Sequence, residues 1–317
     1  MYLLRKPILA ASASGGVRDL LTRLPVSRSV VTRFVAGTST DDAVAAVRTL
    51  RAEGLQVSLD HLGEHTVERA QADDTVTAYL QLLQALDAAG LAQGAEVSVK
   101  LSAVGAALPA APDLPEGPEA YALAGARTIV QAAYRVGARV TLDMEDHTTV
   151  DATLRTLAEL RRDQPDVGVA IQAMLRRTES DLSRLVGPGS RVRLVKGAYQ
   201  EPAEVAHTDR PSVDRAYVRA LRTLMAGDGY PMVGSHDPRL IAIAHRLAVD
   251  AGRGPSDYEH QMLYGIRPDE QRRLVAAGRA VRVYVPYGSD WYGYFTRRLA
   301  ERPANLMFFL RALATRG

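Results

Sequence analysis

The chain has 317 residues, 47% hydrophobic and 24% charged, with a formal net charge of +3 and no cysteine. That length and composition suit an ordinary soluble globular protein with a sizeable core, in one large domain or two smaller ones. The near-balanced charge argues against a nucleic-acid partner despite a pI near 9.1, and the absence of cysteine excludes disulfides, thiol catalysis and Cys-ligated metal or iron–sulfur centres.

No apolar run approaches the roughly 20 residues of a membrane-spanning helix. The opening MYLLRKPILAASASGG is interrupted by Arg5, Lys6 and Pro7 and does not read as a signal peptide. A cytoplasmic location is therefore expected, and amphipathic contact with a membrane surface stays open.

In chain order, residues 1–54 read as an N-terminal helical arm. Apolar residues recur at three- and four-residue spacing over 17–24, 30–35 and 41–51, with Thr40 placed to cap the last helix. From residue 55 strands and helices alternate. Strands are expected at 55–60, 96–102, 138–145, 167–173, 191–197, 231–236, 256–263 and 281–286, the last stopped by Pro286. Helices are expected at 72–90, 118–136, 148–162, 178–186, 211–227, 238–250 and 268–277. After the eighth strand comes another helix, capped by Ser289 or Asp290, and a terminal helix over 303–314. Eight strand–helix units over residues 55–317 match an α/β (βα)8 barrel of the TIM type as one catalytic domain. A doubly wound sheet is the competitor, but no GxGxxG follows the first strand.

In a barrel the active site lies at the carboxyl ends of the strands. Reactive side chains collect there: Lys100 and Ser102, Asp143 and Glu145, Gln172, Arg193 with Lys196 and Tyr199, Ser235 with His236 and Asp237, Glu259 with His260 and Gln261, and Tyr284. By alternation Arg193 points into the mouth, and Lys100 needs a partner for its charge, which Asp143 on the adjacent strand supplies. Beyond the eighth strand, Tyr294, Arg297, Arg298 and Glu301 share two turns of helix, spaced so that one carboxylate orients two guanidiniums. An arginine pair of this kind suits a ligand carboxylate.

These residues admit three chemistries: a Schiff base on Lys100 or Lys196, a metal held by His236, Asp237, His260 and Asp143, or a flavin across the mouth. Residue types alone leave the three open.

The motifs LDHLGE (59–64), SVKLSAVG (98–105), TLDMED (141–146), AIQAMLRR (170–177), RLVKGAYQEP (193–202), GSHDP (234–238), EHQMLYG (259–265) and YVPYGSDWYGYFTRRLAERPAN (284–305) resemble the proline dehydrogenase family, in its bacterial single-function form. The resemblance implies a distorted (βα)8 barrel with a last helix capping the mouth. It also implies FAD as cofactor and oxidation of L-proline to Δ1-pyrroline-5-carboxylate, with electrons passed to a quinone at the membrane. Pyrroline-5-carboxylate dehydrogenase is a further implied partner. Carried over by residue, Arg297, Arg298 and Lys100 hold the substrate carboxylate, with Glu301 and Asp143 beside them. Tyr284, Tyr294 and Tyr199 pack on the ring. Arg193 lies near the reactive flavin nitrogen, Gln172 and Met144 lie against the isoalloxazine, Lys196, Gly197 and Ala198 line the cofactor, and Ser235 and His236 reach its phosphate or adenosine end. The family often has Phe where His260 stands, which leaves His260 without an implied role.

Overall fold

A computed structural model of the chain describes residues 31–112 and 114–295. Eight strands form one closed parallel barrel: β1 Gln56–His61, β2 Glu96–Val99, β3 Arg139–Leu142, β4 Gly168–Gln172, β5 Arg191–Val195, β6 Tyr230–Gly234, β7 Glu259–Leu263 and β8 Val281–Tyr287. Each strand pairs with the next, and β8 closes on β1 with Gln56 opposite Arg282 at one end and His61 opposite Tyr287 at the other. Helix α1 (Thr40–Ala52) precedes β1. Helices α2 (Arg69–Ala88), α3 (Gly117–Arg135), α4 (Val150–Arg161), α5 (Thr178–Leu182), α6 (Arg210–Ala226), α7 (Pro238–Asp250) and α8 (Pro268–Ala276) follow the strands in turn. The sequence-based alternation thus describes the barrel, with boundaries moved by a few residues.

Two local expectations are corrected. Ser39, not Thr40, caps α1: its hydroxyl accepts from the Asp42 amide at 3.1 Å while the Asp42 carboxylate accepts from the Ser39 amide at 3.0 Å. This reciprocal box satisfies two helix-end donors, and a cap one residue further on could not close it. Pro286 does not stop β8, which runs on to Tyr287. A proline is tolerated there because its carbonyl still accepts, here from Ala36 N at 2.9 Å.

Alternation decides what faces where. Val57, Leu59, Val97, Val99, Val140, Leu142, Val169, Ile171, Val192, Leu194, Val283 and Val285 form the main apolar cluster with the buried helix faces. Ala43, Val47 and Leu50 of α1 join the same cluster. The opposite parity points inward, and it is polar. Arg193 on β5 donates to Ser58 on β1 at 3.2 Å, a bond between strands that are not neighbours and so one that crosses the interior. Barrels of this kind are usually filled by branched aliphatic layers. Here the middle is instead a hydrogen-bonded lattice of Ser58, Glu96, Ser98, Arg193, Glu259, Gln261 and Arg282, all buried. Burying so many charges is tolerable only because each ion finds close opposite partners.

A second, smaller apolar cluster joins Val31, Phe34, Val35, Leu62, Tyr294 and Phe295, with Tyr284, Ile266 and Trp291 against it. The chain around residues 31–37 is therefore packed beside the carboxyl end of β8. Gly288 N donates to Gly37 O at 3.0 Å, which ties the two segments together.

Candidate active site at the carboxyl ends of the strands

The inward residues of β1, β2, β3, β5 and β8 meet in one array. Lys100, nine-tenths buried just beyond β2, donates to Asp60 Oδ1 at 2.7 Å and lies 3.2 Å from Asp143 Oδ2. Tyr284 Oη donates to the same Asp143 oxygen at 2.8 Å. The other oxygen of Asp143 accepts from Ser98 Oγ and from Arg193 Nη1, each at 2.7 Å. Arg193 uses all five of its N–H groups on protein: Nε to Gln261, Nη1 to Ser98 and Asp143, Nη2 to Ser58 and Glu96. Its guanidinium also sits 5.4 Å from the Tyr284 ring centroid, within cation–π range.

Protonation follows from these contacts. Burial works against the Asp143 carboxylate, but Lys100 and Arg193 outweigh it and hold its pKa at about 2. Burial likewise disfavours Glu96 as an anion, and Arg282, Arg193 and Arg191 bring it down to about 2. Lys100 is disfavoured as a cation by burial, yet Asp60, Tyr284 and Asp143 raise it well above the ordinary range. Asp60 goes the other way: burial raises it, against the pull of Lys100. Its Oδ2 is buried and has no partner among the described residues. The site is therefore a charged network with one strained carboxylate.

Of the residues singled out from the sequence, Lys100, Asp143, Arg193 and Tyr284 are brought together. Gln172 is buried at the end of β4, its amide donating to Glu145 O at 2.7 Å. Met144 is buried in the apolar cluster. Lys196 pairs with Asp214 at 2.5 Å and Asp237 at 3.6 Å. Gly197, Ala198 and Tyr199 follow it, all half-buried. Ser235 Oγ accepts from Asp237 N, and His236 Nε2 accepts from Leu263 N at 2.8 Å. Tyr294 is buried in the cluster that Tyr284 borders. Arg297, Arg298 and Glu301 lie outside the described residues.

Sequence reasoning underrated Asp60, Glu96 and Gln261. The signal was present: Ser58 and Asp60 share one parity on β1, as Glu96, Ser98 and Lys100 do along β2, and polar residues at alternate positions of a buried strand must face a polar interior. The residues named as metal ligands do not gather. Asp143 is committed to Arg193 and Tyr284, His236 to a backbone amide, and His260 meets His245 at 3.0 Å. A different group, Glu64, His65 and Glu145, does come within 4.8 Å of one another. Both oxygens of its buried member, Glu145, already accept from Ser102.

The donor set fits FAD at the ends of β4–β6. Lys196, Arg210 and Arg239 surround Asp214 and Asp237, three cations against two carboxylates, which suits a diphosphate. Gly197 has φ +112, and a Cβ there would come within 2.4 Å of Met174 Sδ, so only glycine lets the backbone turn this closely at the rim.

The proline dehydrogenase family model matches residues 43–311. Proline dehydrogenase of Deinococcus radiodurans is 38% identical over 98% of both chains. Proline dehydrogenase 1 of Bacillus subtilis is 36% identical over 89% of both. Among solved structures, proline utilization A from Bdellovibrio bacteriovorus inactivated by N-propargylglycine superposes with a TM-score of 0.76 at 25% identity. The match covers 86% of this chain and 32% of that longer protein, so the present chain spans about a third of it. With the barrel, the family model and these relatives in agreement, the chain belongs to the proline dehydrogenase family, whose fold and relatives support proline oxidation as its chemistry.

Proposed function

We propose that the protein is an FAD-dependent L-proline dehydrogenase that forms Δ1-pyrroline-5-carboxylate and passes electrons to a quinone at the cytoplasmic face of a membrane. The observation that carries the reading is the Lys100–Asp143–Arg193–Tyr284 array, set just beyond β2 and β3 and on β5 and β8, at the carboxyl end of the barrel. Bound FAD supplies the hydride acceptor. Lys100 stays protonated and offers a buried cation to the substrate carboxylate, beside the Arg297 and Arg298 that the family resemblance assigns to the same task. A carboxylate fixed at both ends leaves the small ring little freedom, and orientation of that kind lowers the barrier to hydride transfer.

Asp143 acts as a positioning group. Four donors saturate its oxygens and its pKa is about 2, so it is a poor base at neutral pH. Its part is to hold Lys100, Tyr284 and Arg193 in one arrangement. Arg193 has no N–H left over and contributes its charge, which favours negative charge growing nearby where water is excluded. Tyr284 presents its ring to the substrate body, with its hydroxyl pinned by Asp143. Gln172, Lys196, Gly197, Ala198, Ser235 and His236 line the cofactor in this reading, with Met144 packed behind.

The test is turnover of L-proline with a dye acceptor by the FAD-loaded protein, with the pyrroline product trapped as its o-aminobenzaldehyde adduct. Proline-dependent dye reduction with adduct formation supports the reading. No dye reduction by protein that retains FAD refutes it.

A further inference from the structure

At the amino end of the barrel, opposite the array described above, lies a cavity of about 310 Å3. Its walls include Arg139, Arg191, Arg282, Asp166, Glu259 and Tyr230, three guanidiniums against two carboxylates. Arg191, Arg193 and Arg282 are all buried in the barrel interior, and they are not equally satisfied. Arg193 spends all five N–H groups on protein, as described. So does Arg282: on Glu259 twice, Val57 O, Gly94 O and Gln56. Arg191 does not. Among the described residues only its Nη2 makes hydrogen bonds, at 3.3 Å to Glu96 Oε2 and 3.4 Å to Met232 Sδ, with Glu259 Oε1 3.9 Å away. Glu259 Oε1 already accepts from Arg282 and Gln261, which leaves Glu96 Oε2 as the one carboxylate oxygen within hydrogen-bond distance of Arg191 among the described residues. Arg191 Nε is buried with no partner, whereas Nη1, without a protein hydrogen bond among the described residues, is not buried and stays accessible. A buried Nε–H without an acceptor is costly unless something outside the protein chain accepts from it, and the accessible Nη1 can serve the same acceptor.

We propose that this cavity is a binding site for a small oxyanion, a carboxylate or a phosphate, received by Arg191 with Arg139 at the entrance. The planar fork of Arg191 lies against Tyr230, 4.6 Å from the ring centroid, which fixes the plane in which two parallel N–H···O bonds can form. Arg139 is half-buried and, among the described residues, pairs with the half-exposed Asp166 at 3.2 Å, a contact near the surface that it can exchange for an incoming anion. The excess of one positive charge among the lining ionic groups sets the ligand's sign and favours a singly charged species.

The test is thermal unfolding of the full FAD-loaded chain in sodium phosphate and in sodium acetate, each against sodium chloride at matched ionic strength. A saturable rise in melting temperature is expected with at least one of the two oxyanions and not with chloride. Phosphate alone, acetate alone or both then assign the source of the oxyanion. Arg139→Gln should raise the half-saturating concentration about tenfold, the loss of one charge-assisted contact, while proline turnover is kept. Arg191→Gln should abolish the rise. Lys100→Met should leave it intact, since Lys100 lies at the opposite mouth. No saturable rise in the wild type means the cavity holds water only and overturns the proposal. So does an unchanged response in Arg139→Gln, or loss of the response in Lys100→Met.

Discussion

Replacing Lys100 by methionine keeps the stem of the side chain and removes its charge from between two buried carboxylates, Asp60 at 2.7 Å and Asp143 at 3.2 Å. Asp143 keeps Arg193 as a partner; Asp60 loses its only ion pair among the described residues. Removing one member of a buried pair costs about 3–5 kcal/mol. A second route limits that cost: Asp60 can take a proton. Neutralising a carboxyl of ordinary pKa costs about 4 kcal/mol at pH 7 and about 1.5 kcal/mol at pH 5. The variant should therefore be destabilised by about 3–4 kcal/mol at pH 7, with the deficit shrinking toward about 1.5 kcal/mol at pH 5. The sign follows from linkage: once Asp60 titrates higher in the folded state than in the unfolded one, the variant loses stability as pH rises above the unfolded value. Urea unfolding at both pH values measures the deficit. Adding Asp60→Asn to the variant should recover about 2 kcal/mol or more at pH 7, a coupling that belongs to this pair. A Lys100→Met protein within 0.5 kcal/mol of wild type at pH 7, or an equal deficit at both pH values, would refute the reasoning.

Tyr284→Phe removes the 2.8 Å bond to Asp143 and should cost about 1 kcal/mol in stability. Urea unfolding at pH 7 measures the loss, and a variant as stable as wild type contradicts the contribution of this bond. Gly197→Ala forces a side chain onto a backbone at φ +112 against Met174 and should cost about 1–3 kcal/mol. Dialysis should strip its FAD faster than from wild type, and equal retention contradicts the placement of the cofactor at this turn. Burial, with His245 beside it, lowers His260 to about 3, so it folds neutral and its unfolded form takes a proton below about pH 6.5. Stability is then full above that value and falls with acid, by about 2 kcal/mol between pH 7 and pH 5. His260→Gln should flatten that limb in urea titrations, and an unchanged slope contradicts the buried neutral assignment.

The barrel was legible because apolar residues on the outward parity of each strand, such as Val57 and Leu59 or Val283 and Val285, repeat at period two while the helices repeat at three and four. Lys100, Asp143, Arg193 and Tyr284 were legible for the complementary reason: strand ends are where a barrel exposes its inward parity. The ionic interior was harder to see. Glu96, Arg191 and Arg282 stand at strand beginnings, where a charge usually marks the solvent edge, and Glu259, expected at the carboxyl mouth, instead opens β7 at the amino end; only closure of the sheet turns those positions into neighbours across the barrel. Asp60 was hidden differently. Next to His61 it resembles a weak metal pair, and no local pattern reveals that its partner is Lys100, on the neighbouring strand. Ser39 displaced Thr40 as cap because the reciprocal bond with Asp42 depends on backbone geometry that two adjacent hydroxyl residues do not distinguish in sequence.

The most direct measurement of the central claim is the visible spectrum of the purified protein, reconstituted with FAD and titrated anaerobically with L-proline. The account predicts flavin absorbance near 450 nm that bleaches with L-proline and returns on adding a quinone. Its second expectation is that the Lys100→Met protein, still yellow, needs far more proline to bleach. A protein that cannot bind FAD, or one whose flavin is unaffected by saturating L-proline, contradicts it.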